Sequence, residues 1–141
     1  SIGNSQIKKL KNIIKIRQEN FKLIRNALLE DKKFLDKFSI IKENPNNSIV
    51  WFGIPIILRS TEKSYKNKVK NKLNKLGIDT RPLISGNFAK QPAIKLYKLK
   101  INNDLKNADF IDRNSFFIGL HNTKTSIKTV QFIKKALYES L

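Results

Sequence analysis

The run Asp79-Thr80-Arg81-Pro82-Leu83-Ile84-Ser85-Gly86-Asn87-Phe88-Ala89-Lys90-Gln91-Pro92 holds residue types that neither packing nor solubility asks for. An arginine interrupts a short apolar stretch, Ile78 to Leu83, which then opens into a loop. The guanidinium fork of Arg81 matches two oxygens of a phosphate or carboxylate. Asn87, and Asn122 further on, offer both donors and acceptors, as sugar hydroxyls require. His121, the single histidine of the chain, can donate, accept or titrate. Gly86 is free to take a positive φ, and Asn87 tolerates one. Pro82 and Pro92 restrict Arg81 and Gln91 to extended geometry, so the loop is stiff enough to hold polar groups in place. Each residue taken singly has an ordinary reading as a cap or turn. It is their gathering near two strand ends, 81–91 and 119–123, that suggests a site.

The elements that must position these groups follow from periodicity. Ile7, Leu10, Ile14, Phe21, Ile24 and Leu28 recur at three-four spacing with Arg17 between, which predicts one continuous helix of about 24 residues capped by Ser5. Residues 31–38 read as a short helix or turn presenting Phe34, Leu35 and Phe38. Residues 49–58, β-branched and aromatic, read as a strand, placed at an edge or bulged at Pro55. Ser60 or Thr61 caps the next helix, with Tyr65, Val69, Leu73 and Leu76 buried and Gly77 as its left-handed stop. Residues 78–83 form a second strand. A short helix over 105–113 and a third strand over 115–120 follow. A last helix, capped by Thr125 or Ser126, turns Ile127, Val130, Ile133 and Leu137 inward. Three short strands with helices on one face predict an α+β sandwich of two layers.

Composition narrows the function classes. The chain of 141 residues suits one domain, preceded by the long helix of residues 1–30. It has no cysteine, which removes disulfides, thiolate catalysis and cysteine-held metal and accords with a reducing, cytoplasmic setting. No apolar run is long enough to span a membrane. No methionine opens the sequence, so a processed start or, better, a piece of a longer chain is expected. The net charge of +18 is a polyanion signal, and a basic nucleic-acid-binding module is the alternative reading. Against it, 24 lysines outnumber five arginines and are scattered, whereas nucleic-acid grooves mix Arg with exposed aromatics. The richness in Lys, Asn and Ile follows equally from A/T-rich codons. A helical interaction domain built on the Ile7–Leu28 stripe is a third reading. No phosphate loop, dinucleotide fingerprint, nucleophile elbow or metal-ligand spacing occurs, so no catalytic, cofactor-binding or metal-ligating residue is expected within this chain.

The run Gly77–Phe88, then Gln91-Pro92, then Asn107-Ala108-Asp109-Phe110-Ile111, then Phe116-Phe117-Ile118-Gly119-Leu120-His121-Asn122, resembles the C-terminal part of the DegT/DnrJ/EryC1/StrS family of pyridoxal-phosphate (PLP)-dependent enzymes acting on nucleotide sugars. The likeness is greatest to the branch that includes the 3-dehydratases of 4-keto-6-deoxy sugars. The opening Ile2-Gly3-x-x-Gln6-Ile7-x-x-Leu10 is similar to the family's helix leaving the cofactor domain. The resemblance implies the small C-terminal domain of the aspartate-aminotransferase fold over residues 31–141. The large domain, with PLP and its Schiff-base lysine (a histidine in the dehydratase branch), would precede it. Arg81, Ser85, Asn87 and His121 would contact the nucleotide-sugar substrate, PLP would not be bound by this stretch alone, and the whole enzyme would be a homodimer. Some dehydratases of the family also hold an iron–sulfur cluster on cysteines, which this stretch lacks.

Overall fold

The computed structural model describes residues 2–60, 62 and 64–141. Its centre is β2, Gly53–Leu58, whose alternate residues Ile54, Ile56 and Leu58 are buried. Period-two alternation puts all three on one face of the strand. Beside β2 lies β4, Ser115–Gly119, antiparallel and in a register that sets Ile56 opposite Phe116 and Ile54 opposite Ile118. Next to β4 is β3, Thr80–Pro82, with Arg81 opposite Phe117. The sheet has a fourth strand beyond the three that the sequence predicts. This is β1, Phe38–Ile40, which pairs with the outer side of β2 to give the order β1-β2-β4-β3. Phe38 reads as the end of a helix because it follows Phe34 by four residues. In the structure the two rings do stack, at 4.8 Å, but Phe38 itself is extended. The ring contact belongs to the junction between α3, Lys32–Lys37, and β1.

Pro55 sits in an interior strand, not at the expected edge. The pairing of β1 stops at Ile40 with Ile56, so at Pro55 only β4 lies alongside. The residue that cannot donate to a ladder therefore stands where β2 has a single neighbour.

The continuous helix predicted from Ser5 is broken. α1 covers Ile2–Ile7 and α2 covers Leu10–Leu29, with a turn at Lys8 and Lys9. There the Lys9 amide bonds the Gln6 carbonyl at 3.0 Å, a tight three-residue closure. Ser5 lies inside α1, not at a cap. Ile7 and Leu10 are exposed, and Gly3, Asn4 and Ser5 are weak helix formers, so little holds the two pieces in line. The second half of α2 is different: Phe21, Ile24 and Leu28 join the core.

α4, Tyr65–Lys75, buries Val69 and Leu73, while Leu76 falls past its end and is exposed. Its N-cap is Ser64, whose hydroxyl donates to the Glu62 carboxylate at 3.1 Å and makes no cap bond; Ser60 accepts from the Glu62 amide at 3.2 Å, and Thr61 lies outside the described residues. Gly77 adopts the expected positive φ, +84°. α5, Lys106–Asn114, runs directly into β4. α6, Ile127–Glu139, is capped by Ser126, which accepts from the Thr129 amide at 3.1 Å. It buries Val130, Ile133, Ala136 and Leu137 and leaves Ile127 exposed. α2, α4 and α6 thus share one core with the Ile54, Ile56, Leu58, Phe116 and Ile118 face of the sheet. This is the two-layer α+β sandwich that the sequence predicts. Between β3 and α5 the chain makes two 3₁₀ turns, Phe88–Lys90 and Pro92–Leu96, and exposes Ile84, Phe88, Leu96, Tyr97, Leu99 and Ile101.

Candidate functional site

The sheet ends in a groove of about 520 Å³ between its β3 edge and the first turns of α6. β3 brings Arg81 to it, and the chain leaving β4 brings His121. Phe117, Leu120, Phe132 and Ile133 give the groove an apolar wall, and Asp79, Arg81, His121 and Thr129 give it polar groups. The Arg81 Nε meets the Asp79 carboxylate at 3.1 Å, and both side chains are well exposed. In water such a pair contributes little to stability, so the guanidinium is free to exchange Asp79 for a ligand anion.

The other two expected contact residues lie elsewhere. Ser85 lines a separate hollow of about 210 Å³ with Lys66, Gln91 and Asp112, and its carbonyl accepts from the Gln91 side-chain nitrogen at 2.7 Å. Burial first, with a smaller push from the Lys70 charge, holds the Lys66 ammonium below its ordinary pKa, against the opposing pull of Asp112. Asn87 is buried, at 4% exposure. Its amide nitrogen donates to Asp109 at 2.5 Å and its oxygen accepts from the Ala89 amide at 3.0 Å, capping a 3₁₀ turn. Lys90 meets the same carboxylate at 2.6 Å, and Lys90 first and Asn87 second hold Asp109 below the ordinary carboxylate range. The positive φ foreseen for this loop occurs at Gly86, +59°, and at Ile84, +49°, while Asn87 stays at −79°. A β-carbon on Gly86 would also collide with the Asp112 side chain.

One organising residue belongs to no motif. Asn20, on α2, is 2% exposed. It donates to the carbonyls of His121 (3.1 Å) and Thr123 (2.8 Å) and accepts from the Thr125 amide (2.8 Å). One turn earlier the Arg17 Nε bonds the Asn122 side chain at 2.7 Å. The signal for Asn20 was in the sequence: Ile16, Asn20, Ile24 and Leu28 recur every four residues, so a polar amide stands in an apolar row.

The fold is a short antiparallel sheet backed by helices, with an arginine and a histidine at its edge groove. Residues 1–137 match the DegT/DnrJ/EryC1/StrS aminotransferase family, and the chain belongs to that family. It is 30% identical over 122 residues to a GDP-4-keto-6-deoxy-D-mannose 3-dehydratase of Escherichia coli, covering 86% of this chain and 30% of the relative. It is 28% identical over 120 residues to the lipopolysaccharide biosynthesis protein RfbH of Salmonella typhimurium, covering 84% of this chain and 26% of that protein. Among solved structures, the E. coli GDP-4-keto-6-deoxy-D-mannose-3-dehydratase with bound hydrated PLP superposes with a TM-score of 0.81 at 26% identity, over 96% of this chain and 33% of that one. The chain thus spans about a third of the length of the relatives it matches.

PLP chemistry needs an amine or base at the aldehyde carbon, a carboxylate at the ring nitrogen and a phosphate cradle. The groove does not fit that group. Among the described residues that line it there is no lysine to form a Schiff base, and although His121 is a base, the one carboxylate, Asp79, is paired with Arg81 and leaves none for the ring nitrogen.

Proposed function

We propose that this chain is the C-terminal small domain of a PLP-dependent enzyme that modifies a nucleotide-linked 4-keto-6-deoxy sugar, by amino transfer or by 3-dehydration. In this reading the cofactor belongs to a large domain that precedes Ser1, and the whole enzyme is a homodimer. The 141 residues close one wall of the substrate pocket. Arg81 meets a phosphate of the nucleotide and His121 a sugar or phosphate oxygen. Ser85 and Asn87 belong to the loop that leaves β3, with Asn87 holding its shape.

The carrying observation is that Arg81 and His121, from separate elements, meet on one apolar-walled groove. A guanidinium offers a fork to phosphate oxygens, and an apolar wall beside a few polar groups is how pockets take ring systems and orient them. The relatives support the substrate class. One is a GDP-sugar dehydratase by name, and a variant of such an enzyme has been solved with bound GDP-perosamine.

Two measurements test the reading. The coding sequence upstream of Ser1 is expected to encode a cofactor domain, with a lysine at the Schiff-base position for an aminotransferase or a histidine for a dehydratase. A reading frame that closes before any such domain overturns the proposal. In the full-length enzyme, Arg81→Ala removes a charged hydrogen bond of about 1.5–3 kcal/mol. GDP is then expected to bind roughly ten- to a hundredfold more weakly by calorimetry. Unchanged affinity removes Arg81 from the site.

A further inference from the structure

We infer that Asn20 is a positioning residue: from the middle of α2 it holds the loop that follows β4, and with it the His121 ring, in place at the groove. An asparagine side chain can make four hydrogen bonds. Asn20 makes three of them with the backbone of one loop, at His121, Thr123 and Thr125. That loop belongs to neither helix nor strand and has no ladder of its own. Its entrance is fixed by the Leu120 amide on the Phe52 carbonyl at 2.9 Å, and its exit by the Ser126 cap of α6. Asn20 closes the middle, and Arg17 adds a bond to Asn122 on the open side. Packing alone does not require an amide here. The apolar row Ile16, Ile24 and Leu28 would be continued by leucine, and a buried amide is retained at a cost unless its partners need it. The arrangement anchors the His121 backbone while leaving its side chain exposed to the groove. It also ties the site to α2, the helix that runs toward the amino-terminal end of the chain. The consequence for ligand binding rests on the reading proposed above; the loop clamp itself does not.

The test compares Asn20→Ala and Asn20→Asp with Leu28→Ala, a core truncation of the same helix that leaves the loop untouched. In the full-length enzyme with ring-labelled histidine, the His121 resonance is the one that His121→Gln removes. Amide exchange is read at Thr123 and Thr125, and GDP affinity is measured in the full-length enzyme and corrected for the folded fraction. Asn20→Ala is expected to speed exchange at Thr125 at least tenfold relative to Val69, to move or broaden the His121 signal, and to weaken GDP about tenfold. Asn20→Asp keeps the acceptor for Thr125 and faces the two carbonyls with a carboxylate, so the Thr125 amide stays protected while the His121 signal moves and GDP weakens. Leu28→Ala lowers stability and leaves affinity per folded molecule unchanged. Exchange and His121 signals in Asn20→Ala equal to wild type overturn the clamp. A loosened loop with unaltered GDP affinity overturns the positioning role. If the wild-type enzyme fails to bind GDP, the nucleotide-sugar reading falls, and the exchange and imidazole data still decide the clamp. Should Asn20→Ala not fold, Asn20→Asp decides alone, and an unmoved His121 signal there overturns the clamp.

Discussion

Asp31 ties the start of α3 to α6. Its carboxylate accepts from the Phe34 amide at 3.2 Å and meets the Lys134 ammonium at 3.0 Å. Its pKa is drawn from 3.8 down to about 2. Tyr138 lowers it most, though the buried Tyr138 hydroxyl stands outside strict hydrogen-bond geometry, and Lys134 comes next, with a well-defined contact. Tyr138 is itself pushed up to about 12, by burial first and by Asp31 second. A carboxyl whose folded pKa lies below its unfolded one stabilises the fold fully above about pH 4, and that share is lost as pH falls toward 2. Asn caps a helix as well as Asp does, so Asp31→Asn isolates the charge. Urea unfolding is expected to show wild type losing more stability than Asp31→Asn between pH 4 and 2; parallel curves would deny the charge any role. Asp31→Ala removes the cap as well, at about 1 kcal/mol. Single residues of the site were legible by type but not always by role. Arg81 and His121 reach the groove, whereas Asn87 is turned inward by Asp109, and no local pattern announces a partner 22 residues away.

At the scale of elements, what could be read depended on length and on tertiary contact. β2, β4, α4 and α6 are long enough for their periods to appear, and each lies near its expected place. β1 has three residues, too few for alternation to show, and its pairing with β2 is a non-local event. The break between α1 and α2 was invisible for the opposite reason. The three-four spacing of Ile7 and Leu10 continues across it, yet both side chains are exposed and supply no packing to keep the helix continuous. Helices of this length are held mainly by tertiary burial, so stability should differ along this segment. In amide exchange, residues 3–9 are expected to exchange at near-unprotected rates, while Ile24 and Leu28, fully packed in the core, approach the protection of the whole fold. Equal protection on both sides of Lys9 would mean that the exposed leading turns find an apolar surface to cover them.

The whole molecule is dominated by an unbalanced charge of +18. Among the described residues, lysines sit on nearly every element: Lys66, Lys68, Lys70, Lys72 and Lys75 on α4, Lys128, Lys134 and Lys135 on α6, Lys11, Lys15 and Lys22 on α2. The ion pairs formed there, such as Lys68–Glu62, Lys106–Asp104 and Lys135–Glu139, are largely exposed and neutralise few of them. No helix among the described residues is long and apolar enough to cross a membrane. The groove is lined by one arginine and one histidine, and family membership accounts for the fold without any basic face. The charge therefore adds a diffuse field, not a second site. A diffuse field binds polyanions by counterion release, which is blind to sequence and steep in salt. In fluorescence anisotropy at 50 mM salt, DNA duplexes of unrelated sequence should bind with equal affinity. Raising the salt to 200 mM should cost roughly a thousandfold. The same salt should leave the GDP affinity of the full-length enzyme within a few-fold, because in the proposed function Arg81 meets one diphosphate at an apolar-walled groove and does not track a backbone. Sequence preference among the duplexes, or binding that persists at 200 mM, would point to a basic surface that recognises nucleic acid by contact and would return the lysines to a functional role.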